Sequence, residues 1–268
     1  MQNQITSLQN NRIKLLNQLR EKSRARKQEG IFLIEGKREI TLASIGGYNI
    51  SQLYYCPEII SKDELQDIKV KLDETTLIFE ITLEIYQKLA YRTSTEGVLG
   101  VAKTKNLELE NLELTSKKPL IIVAEAPEKP GNIGALLRTA DAAQVDAFII
   151  ANPKTDIYNP NIIRSSVGCV FTNKIAIGTT QEIINYLNDK KIDIYSSALQ
   201  ASVNYSTLDY TKPTAIIVGT EATGLSDEWL KNSTQNIKIP MNGAIDSMNV
   251  SVAAGILIFE AKRQRGFL

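Results

Sequence analysis

The C-terminal part of the chain contains the stretch Ile239-Pro-Met-Asn-Gly-Ala-Ile-Asp-Ser-Met-Asn-Val-Ser-Val-Ala-Ala-Gly255. A short apolar approach ends at Pro240, a polar loop with a glycine follows, and from Asn249 onward small and apolar residues recur at helical spacing. The pattern predicts a loop that enters a buried helix. Taken alone, it also fits an ordinary turn in which Ser247 or Asn249 caps the helix and nothing binds.

Two other stretches place glycine and polar residues where strands end. They are Gly131-Asn-Ile-Gly-Ala-Leu-Leu-Arg-Thr-Ala-Asp-Ala142, which follows an apolar run, and Ile216-Ile-Val-Gly-Thr-Glu-Ala-Thr-Gly-Leu225. Glycine at a strand end lets the backbone approach a ligand and leaves N–H and C=O groups free to bind it. Ligands of open α/β sheets bind at the carboxyl ends of the strands, so these stretches predict a ligand site there.

In this order, the three stretches resemble the three motifs of the SpoU (TrmH) family of RNA 2'-O-ribose methyltransferases, within the SPOUT class of S-adenosylmethionine enzymes. The matching features are Asn-Ile-Gly with an arginine six residues after the Asn, Gly-Thr-Glu-x-x-Gly-Leu, and Ile-Pro-Met-x-Gly-x-x-x-Ser-Met-Asn-Val-Ser. The resemblance covers roughly residues 119–268. Residues 31–101 are similar to the substrate-binding domain that often precedes this catalytic domain.

Alternating strand-like and helix-like segments predict an α/β fold class. Apolar runs at 120–124, 147–151 and 215–218 are typical of buried parallel strands, with helices between them. This predicts a parallel sheet flanked by helices in the C-terminal half. The resemblance implies in addition that this half is a SPOUT domain whose C-terminal segment forms a deep trefoil knot, an exception to unknotted topology.

The chain divides by composition into two α/β patterns. A charged stretch without helical apolar periodicity separates them, which predicts residues 1–105 as a first domain, 106–118 as a linker and 119–268 as the catalytic domain. The first domain is expected to be a small α/β unit. The resemblance implies that it is similar to ribosomal proteins that bind bent RNA, and that it recruits RNA, most simply ribosomal RNA.

The resemblance implies S-adenosylmethionine as methyl donor and no metal. Backbone groups at Gly219, Ile239 and Met248 occupy the positions that hold the cofactor in the family. Leu199, in the loop after an earlier strand, is a further candidate for the same pocket. The family also dimerises through the knotted domain, and the apolar helix predicted after Asn249 is too apolar for a solvated surface, so a homodimer is expected.

Five side chains match catalytic positions of the family: Asn132, Arg138, Glu221, Ser247 and Asn249. Asn132 is predicted to start a helix as its cap, and Arg138 to project from the second turn. Free arginine is a poor base, so we expect Arg138 to position the RNA, the proton passing to phosphate, water or Glu221. The residue before the first-motif proline is Lys129 rather than an acid or Asn, which affects substrate choice more than catalysis.

Composition excludes several other classes of protein. The chain has no histidine, so imidazole bases and Ser-His-Asp triads are excluded, and its two cysteines, Cys56 and Cys169, lie far apart. Neither a P-loop nor a Rossmann Gly-x-Gly-x-x-Gly fingerprint is present. Without a long apolar run or a signal-peptide core at the N-terminus, no membrane association and a cytoplasmic location are expected.

The net charge is only +1, but basic residues are clustered. One helix is predicted from Asn10 to about Lys27, with an apolar seam and a basic face that fits either a solvated surface or a contact to RNA phosphates. The C-terminal tail adds Lys262, Arg263 and Arg265. Two alternatives remain open: a transfer RNA substrate, and an RNA-binding ribosome-assembly factor that has the fold without the catalysis.

Overall fold

The computed structural model describes residues 4–91, 96–200, 202–220, 223–244 and 247–267. The chain forms two compact units. The first consists of Met1–Lys105 and Asp156–Thr172, and the second of Asn106–Thr155 and Asn173–Leu268. The predicted domain limits stay a prediction.

The first unit has a mixed sheet with the strand order β1-β4-β3-β5-β2, in which β5 runs antiparallel to both of its neighbours. The helices that come between these strands in the sequence supply the rest of the hydrophobic core of the first unit. The strands are β1 (Gln4–Ile5), β2 (Ile31–Glu35), β3 (Ile50–Tyr55), β4 (Leu77–Ile81) and β5 (Val98–Lys103), and the helices are α1 (Asn11–Glu21), α2 (Ser23–Glu29), α3 (Lys37–Ile45), α4 (Lys62–Lys69) and α5 (Leu83–Leu89).

The single basic helix predicted from Asn10 to Lys27 is wrong, because the helix breaks at Lys22, whose backbone is extended. The guanidinium of Arg26 returns to the end of α1 and donates to the carbonyl of Leu19 at 2.6 Å. The last carbonyls of a helix lack partners within the helix, so this bond stabilises the break. The pattern of apolar residues does not reveal this break, because the last residue of the apolar seam is Leu19, which precedes Lys22.

The segment Asp156–Thr172 is fastened to the first unit by a buried ion pair. The side chain of Arg26 is 3% exposed and its Nε lies 2.5 Å from Oδ2 of Asp156. Removing one member of such a pair leaves a buried charge without its partner, at a cost of about 3–5 kcal/mol. The segment is therefore an integral part of the first unit, although it follows a strand of the second.

An aromatic cluster fixes the same segment. The ring of Tyr158 stacks on the ring of Phe32 with the centroids 4.2 Å apart. The rings of Phe171 and Tyr48 meet edge to face, with their centroids 5.1 Å apart. Burial raises the pKa of the Tyr48 hydroxyl well above its usual range, so the phenol stays neutral. Such pairs contribute about 0.5–1.5 kcal/mol each beyond the area they bury.

The second unit has a sheet in the order β10-β12-β9-β11-β6-β7-β8, and all its strand pairs are parallel. This confirms the predicted α/β class with a parallel sheet flanked by helices. The strands are β6 (Leu120–Glu125), β7 (Ala147–Ala151), β8 (Ile175–Gly178), β9 (Asp193–Ser197), β10 (Val203–Asn204), β11 (Thr214–Val218) and β12 (Gln235–Lys238); the helices are α6 (Pro130–Ala142), α7 (Pro160–Ser165, within the segment that joins the first unit), α8 (Thr180–Asp189), α9 (Asp227–Asn232) and α10 (Val250–Gln264).

The central strands β6, β7 and β11 are buried along their whole length, as continuous apolar runs in a parallel sheet should be. Each large aliphatic side chain that they bury contributes about 1.5–3 kcal/mol. The predicted linker also packs here: Leu112 is 8% exposed and belongs to the same core, and the N–H of Ile177 donates to the carbonyl of Leu107 at 2.7 Å.

Within the described ranges, no helix has both the length and the apolar character that crossing a membrane requires.

Candidate active site

The carboxyl ends of β12, β9, β11 and β6 meet at one edge of the second unit's sheet. Ile237 of β12 is in register with Ser197 of β9, and Val218 of β11 with Ala124 of β6. Neighbouring strands lie about 4.8 Å apart. The loops that follow β9, β11 and β12 therefore begin side by side, and they contain Leu199, Gly219 and Ile239. These are three of the four residues predicted to hold the cofactor.

Gly219 lies where the loop after β11 folds back on itself. Thr220 and Gly224 exchange two backbone hydrogen bonds of 3.1 Å and so form an antiparallel bridge. A Cβ at position 219 would lie 2.3 Å from the carbonyl carbon of Gly224 and 2.6 Å from the nitrogen of Leu225. Only glycine fits this approach of two backbone segments. A side chain at position 219 would therefore displace the backbone of Gly224 and Leu225 at the carboxyl end of β11.

The first and third sequence motifs are joined directly. The side-chain Nδ2 of Asn249 donates to Oδ1 of Asn132 at 3.2 Å, across 117 positions of the chain. The Oδ1 of Asn249 accepts from the backbone N–H of Ser251 at 3.0 Å and so caps α10. Such a cap stabilises a helix by about 1 kcal/mol. The two contacts fix both ends of the Asn249 amide and bring Asn132 and Asn249 together, as a shared site requires.

The predicted capping role of Asn132 is wrong. Helix α6 begins at Pro130, with Lys129 as its N-cap, and proline favours this first helical position because its missing N–H is not needed there. Asn132 is therefore already inside the helix, and its amide is directed to Asn249. Of the two candidates for capping α10, Asn249 does so, and Ser247 is exposed two residues before it.

Arg138 lies six residues after Asn132 on α6 and is exposed. Within the part of the chain that the structure describes, no hydrogen bond or ion pair holds its guanidinium, so its five donors are available to a ligand. Glu221, the fifth predicted catalytic residue, lies outside the described residues. Met248 is partly buried beside Asn249, whereas the Leu199 side chain is 54% exposed.

Glu125 is a residue that the sequence motifs did not indicate. Its carboxylate, at the end of β6, is 6% exposed and accepts hydrogen bonds from three donors: the N–H of Ser226 at 2.8 Å, the Ser226 hydroxyl at 2.7 Å and the Thr180 hydroxyl at 3.1 Å. It thereby fastens the far end of the loop that begins at Gly219. A single acid at the end of an otherwise apolar strand was the available signal, since buried carboxylates need such partners.

The basic residues of the tail are engaged within the second unit. Arg265 donates to the backbone carbonyls of Lys118 and Tyr210, at 2.5 and 2.8 Å, and burial lowers the pKa of its guanidinium. Arg263 is paired with Glu260 on its own helix at 2.8 Å. Lys262 is buried. These three charges therefore serve the fold. Within the described residues, no group of three or more acids and cysteines lies close enough to hold a metal ion.

Family models match both halves of the chain. The SpoU rRNA Methylase family model matches residues 119–259, and a model described as MRM3-like substrate binding domain matches residues 10–100. The first covers more than half of the chain and contains all three motifs. The predicted resemblance is confirmed for both halves.

Named relatives illustrate the similarity. The chain is 30% identical to 23S rRNA (guanosine(2553)-2'-O)-methyltransferase RlmP of Bacillus subtilis (strain 168), over 97% of this chain and 99% of the relative. It is 33% identical to a tRNA (guanosine(18)-2'-O)-methyltransferase of Thermus thermophilus, but over only 61% of this chain and 84% of that protein.

Among solved structures, an AdoMet-bound rRNA methyltransferase from Sinorhizobium meliloti shares 27% identity with a TM-score of 0.89, with 97% of each chain covered. The match in fold, in both family models and in the order of the motifs leads to one conclusion. The chain belongs to the SpoU rRNA methylase family.

Proposed function

We propose that the chain transfers a methyl group from S-adenosylmethionine to a ribose 2'-hydroxyl of ribosomal RNA. The observation that carries the proposal is the hydrogen bond between Asn132 and Asn249, which joins the first and third motifs at the carboxyl edge of the sheet. Gly219, whose close approach to the backbone of Gly224 admits no side chain, lies at the same edge. The S. meliloti relative was solved with AdoMet bound, which supports the choice of donor.

Bound at this edge, S-adenosylmethionine would supply a methyl group on a positively charged sulfur. We assign the backbone at Gly219, Ile239 and Met248, with Leu199 beside them, to holding the adenosyl and methionyl parts. Transfer to the ribose oxygen would form a carbon–oxygen bond and break the carbon–sulfur bond, which would release S-adenosylhomocysteine, and the hydroxyl proton would pass to a base. In-line placement of the reacting groups contributes much of the rate in such a transfer.

The side chains have separate tasks in this proposal. Arg138 holds a phosphate of the target nucleotide with its planar fork. Asn132 and Asn249, already linked, orient the ribose, with Ser247 near them in the chain. Glu221 or a phosphate oxygen accepts the hydroxyl proton, which an arginine cannot do at neutral pH. Glu125 acts at a distance by fixing the loop that begins at Gly219.

Coverage favours ribosomal RNA over transfer RNA as substrate. The relative named as a 23S rRNA enzyme matches nearly the whole chain, whereas the one named as a tRNA enzyme matches 61% of it. The leading domain, matched as a substrate binding domain at residues 10–100, supports a recruiting role for the first unit. A non-catalytic assembly factor is disfavoured, because the motif residues Asn132, Arg138, Glu221, Ser247 and Asn249 are all present in the sequence.

Mass spectrometry of nucleosides tests the activity. We expect the purified chain, given S-adenosylmethionine and unmodified ribosomal RNA in the presence of a chelator, to produce one 2'-O-methylated nucleoside. The chelator is included because direct methyl transfer needs no metal. A transfer RNA pool in a parallel reaction separates the two substrates. Absence of any new methylated nucleoside in both reactions would remove the enzymatic proposal.

We also propose a homodimer through α10. Val252 and Phe259 are 53% and 43% exposed and lie seven residues apart, hence on one face of the helix. Such apolar exposure on a helix favours an interface. Light scattering should give about twice the chain mass of 29.7 kDa, and Val252→Asp with Phe259→Glu should give a monomer. A wild-type monomer at micromolar concentration would contradict the proposal.

The deep trefoil knot is likewise proposed from family membership. The cytoplasmic location stays a prediction.

A further inference from the structure

An exposed aromatic side chain with an arginine above it lies on the first unit, away from the residues assigned to catalysis. Tyr91 follows α5 and is 47% exposed. The guanidinium carbon of Arg164, from α7, lies 5.6 Å from the centre of the Tyr91 ring. A tyrosine ring offers a flat apolar face on which another ring can stack.

Both members of the pair are held in place. The Arg164 guanidinium donates to Oδ1 of Asn161 at 2.9 Å, which fixes the plane of the fork. The backbone N–H of Tyr91 donates to the Glu35 carboxylate at 2.7 Å, which fixes the chain that carries the ring. The Arg164 guanidinium and the backbone that carries the Tyr91 ring are therefore held before a ligand arrives, which lowers the cost of ordering the pair.

The surroundings add positive charge on one side. Arg20 and Arg164 line the same recess beside Tyr91, and Arg20 donates to the carbonyl of Lys88, whose exposed side chain lies in the last turn of α5. Two acids lie nearby: Glu21 is paired with Arg20 at 2.8 Å, and Glu35 accepts from the neutral N–H of Tyr91. The positive charge that a ligand can use therefore comes from Arg164 and Lys88. The arrangement suits a ligand with a flat ring and a negative backbone.

The recess itself is too small for a base. Its volume is about 20 Å³, which is room for about one water molecule. A ligand must therefore stack on the exposed surface of the pair rather than enter it. Single-stranded RNA is recognised in this way, with bases on aromatic rings and guanidinium planes, whereas the bases of a duplex are already stacked.

We propose that Tyr91 and Arg164 form a stacking platform for an unpaired base of the substrate RNA, with Lys88 beside the backbone phosphates. The inference rests on the proposed function and adds to it the class of RNA element that the first unit selects. Arg164 lies in the segment Asp156–Thr172, so the platform combines two parts of the chain that are far apart in sequence.

Fluorescence anisotropy tests the platform with two labelled probes, a 12-nucleotide uridine oligomer and a 12-base-pair RNA duplex. We expect Tyr91→Leu in the full chain to weaken binding of the single strand about tenfold, since stacking on one aromatic residue contributes about 1–3 kcal/mol per base. Duplex binding should change less than about twofold. Arg164→Lys should weaken the single strand several-fold, because it keeps the charge and loses the plane.

Two control variants separate stacking from structure. Tyr91→Phe keeps the ring and should bind the single strand within about twofold of wild type. Tyr55→Leu removes another ring with a cation above it, Lys69 at 5.6 Å, and should leave binding unchanged. The melting temperature and cofactor binding of each variant are measured in parallel.

Unchanged single-strand binding by Tyr91→Leu would overturn the platform, as would an equal loss on the duplex. A loss in Tyr91→Leu that Tyr91→Phe shares, or that follows a lower melting temperature, would assign the pair a structural role only. A wild-type chain that methylates RNA but binds single strands no better than duplex would sink this inference and leave the proposed function standing. Absence of methyl transfer counts against the proposed function instead.

Discussion

Gly219→Ala is expected to weaken binding of S-adenosylhomocysteine by more than about a hundredfold. The added Cβ would lie 2.3 Å from the carbonyl carbon and oxygen of Gly224, so the bridge between Thr220 and Gly224 must open. Overpacking against backbone costs up to about 3 kcal/mol or more, and every 1.4 kcal/mol is tenfold in affinity. Titration calorimetry in the presence of a chelator measures the change.

Gly255→Ala is the matched control, because its Cβ would meet only the Thr139 methyl at an ordinary 3.8 Å. Alanine also favours the middle of a helix such as α10. Both variants should keep the circular dichroism of the wild type. If Gly219→Ala bound within about threefold of wild type, the loop after β11 would not be part of the cofactor site.

Arg138→Lys is expected to fold and to bind cofactor normally, and to slow single-turnover methylation about tenfold or more. A guanidinium can hold two oxygens in one plane, whereas an ammonium is a point charge on a flexible stem. Small misplacements of reacting groups can cost about a hundredfold in rate. The exposed position of Arg138 on α6 means that the substitution disturbs no internal contact among the described residues.

Arg263→Lys serves as the control for charge and exposure. Arg263 is also exposed on a helix of the second unit, and Glu260 holds it at 2.8 and 2.9 Å. The single-turnover methylation rate of Arg263→Lys should match that of the wild type. Were Arg138→Lys to methylate a cognate RNA fragment at the unaltered rate, the positioning role would pass to another residue, and Glu221 would be tested next.

Local pattern was sufficient for most elements. The apolar runs that became β6, β7 and β11 carry their own signal, because strands buried on both faces need continuous apolar sequence. The break at Lys22 carries no such signal. The break depends on Arg26, whose guanidinium donates to the carbonyl of Leu19 and to the carboxylate of Asp156, 130 positions away in the chain. Contacts at that separation cannot be deduced from periodicity.

The candidate site likewise combines features that the local sequence indicates with features that depend on distant contacts. Its three loops could be found from glycine and polar residues at strand ends, but their meeting depends on the strand order, which puts β11 between β9 and β6. The bond between Asn132 and Asn249 depends in addition on the packing of α10 against α6, because β9 and β11 separate β12 from β6. Glu125 was missed because its role comes from Ser226 and Thr180, and neither residue belongs to a motif.

The segment Asp156–Thr172 bears on how this chain can have diverged. The backbone passes from one compact unit to the other after Lys105, after Thr155 and after Thr172. A genetic exchange that replaced only the part of the chain up to Lys105 would place a foreign sequence around position 26 against the original Asp156. The buried ion pair between Arg26 and Asp156 would then be mismatched. The substrate-binding half is thus not a transferable cassette: chimeras must import both pieces, and a chain shortened at Lys118 would keep Tyr158 and Phe171 without the rings that cover them.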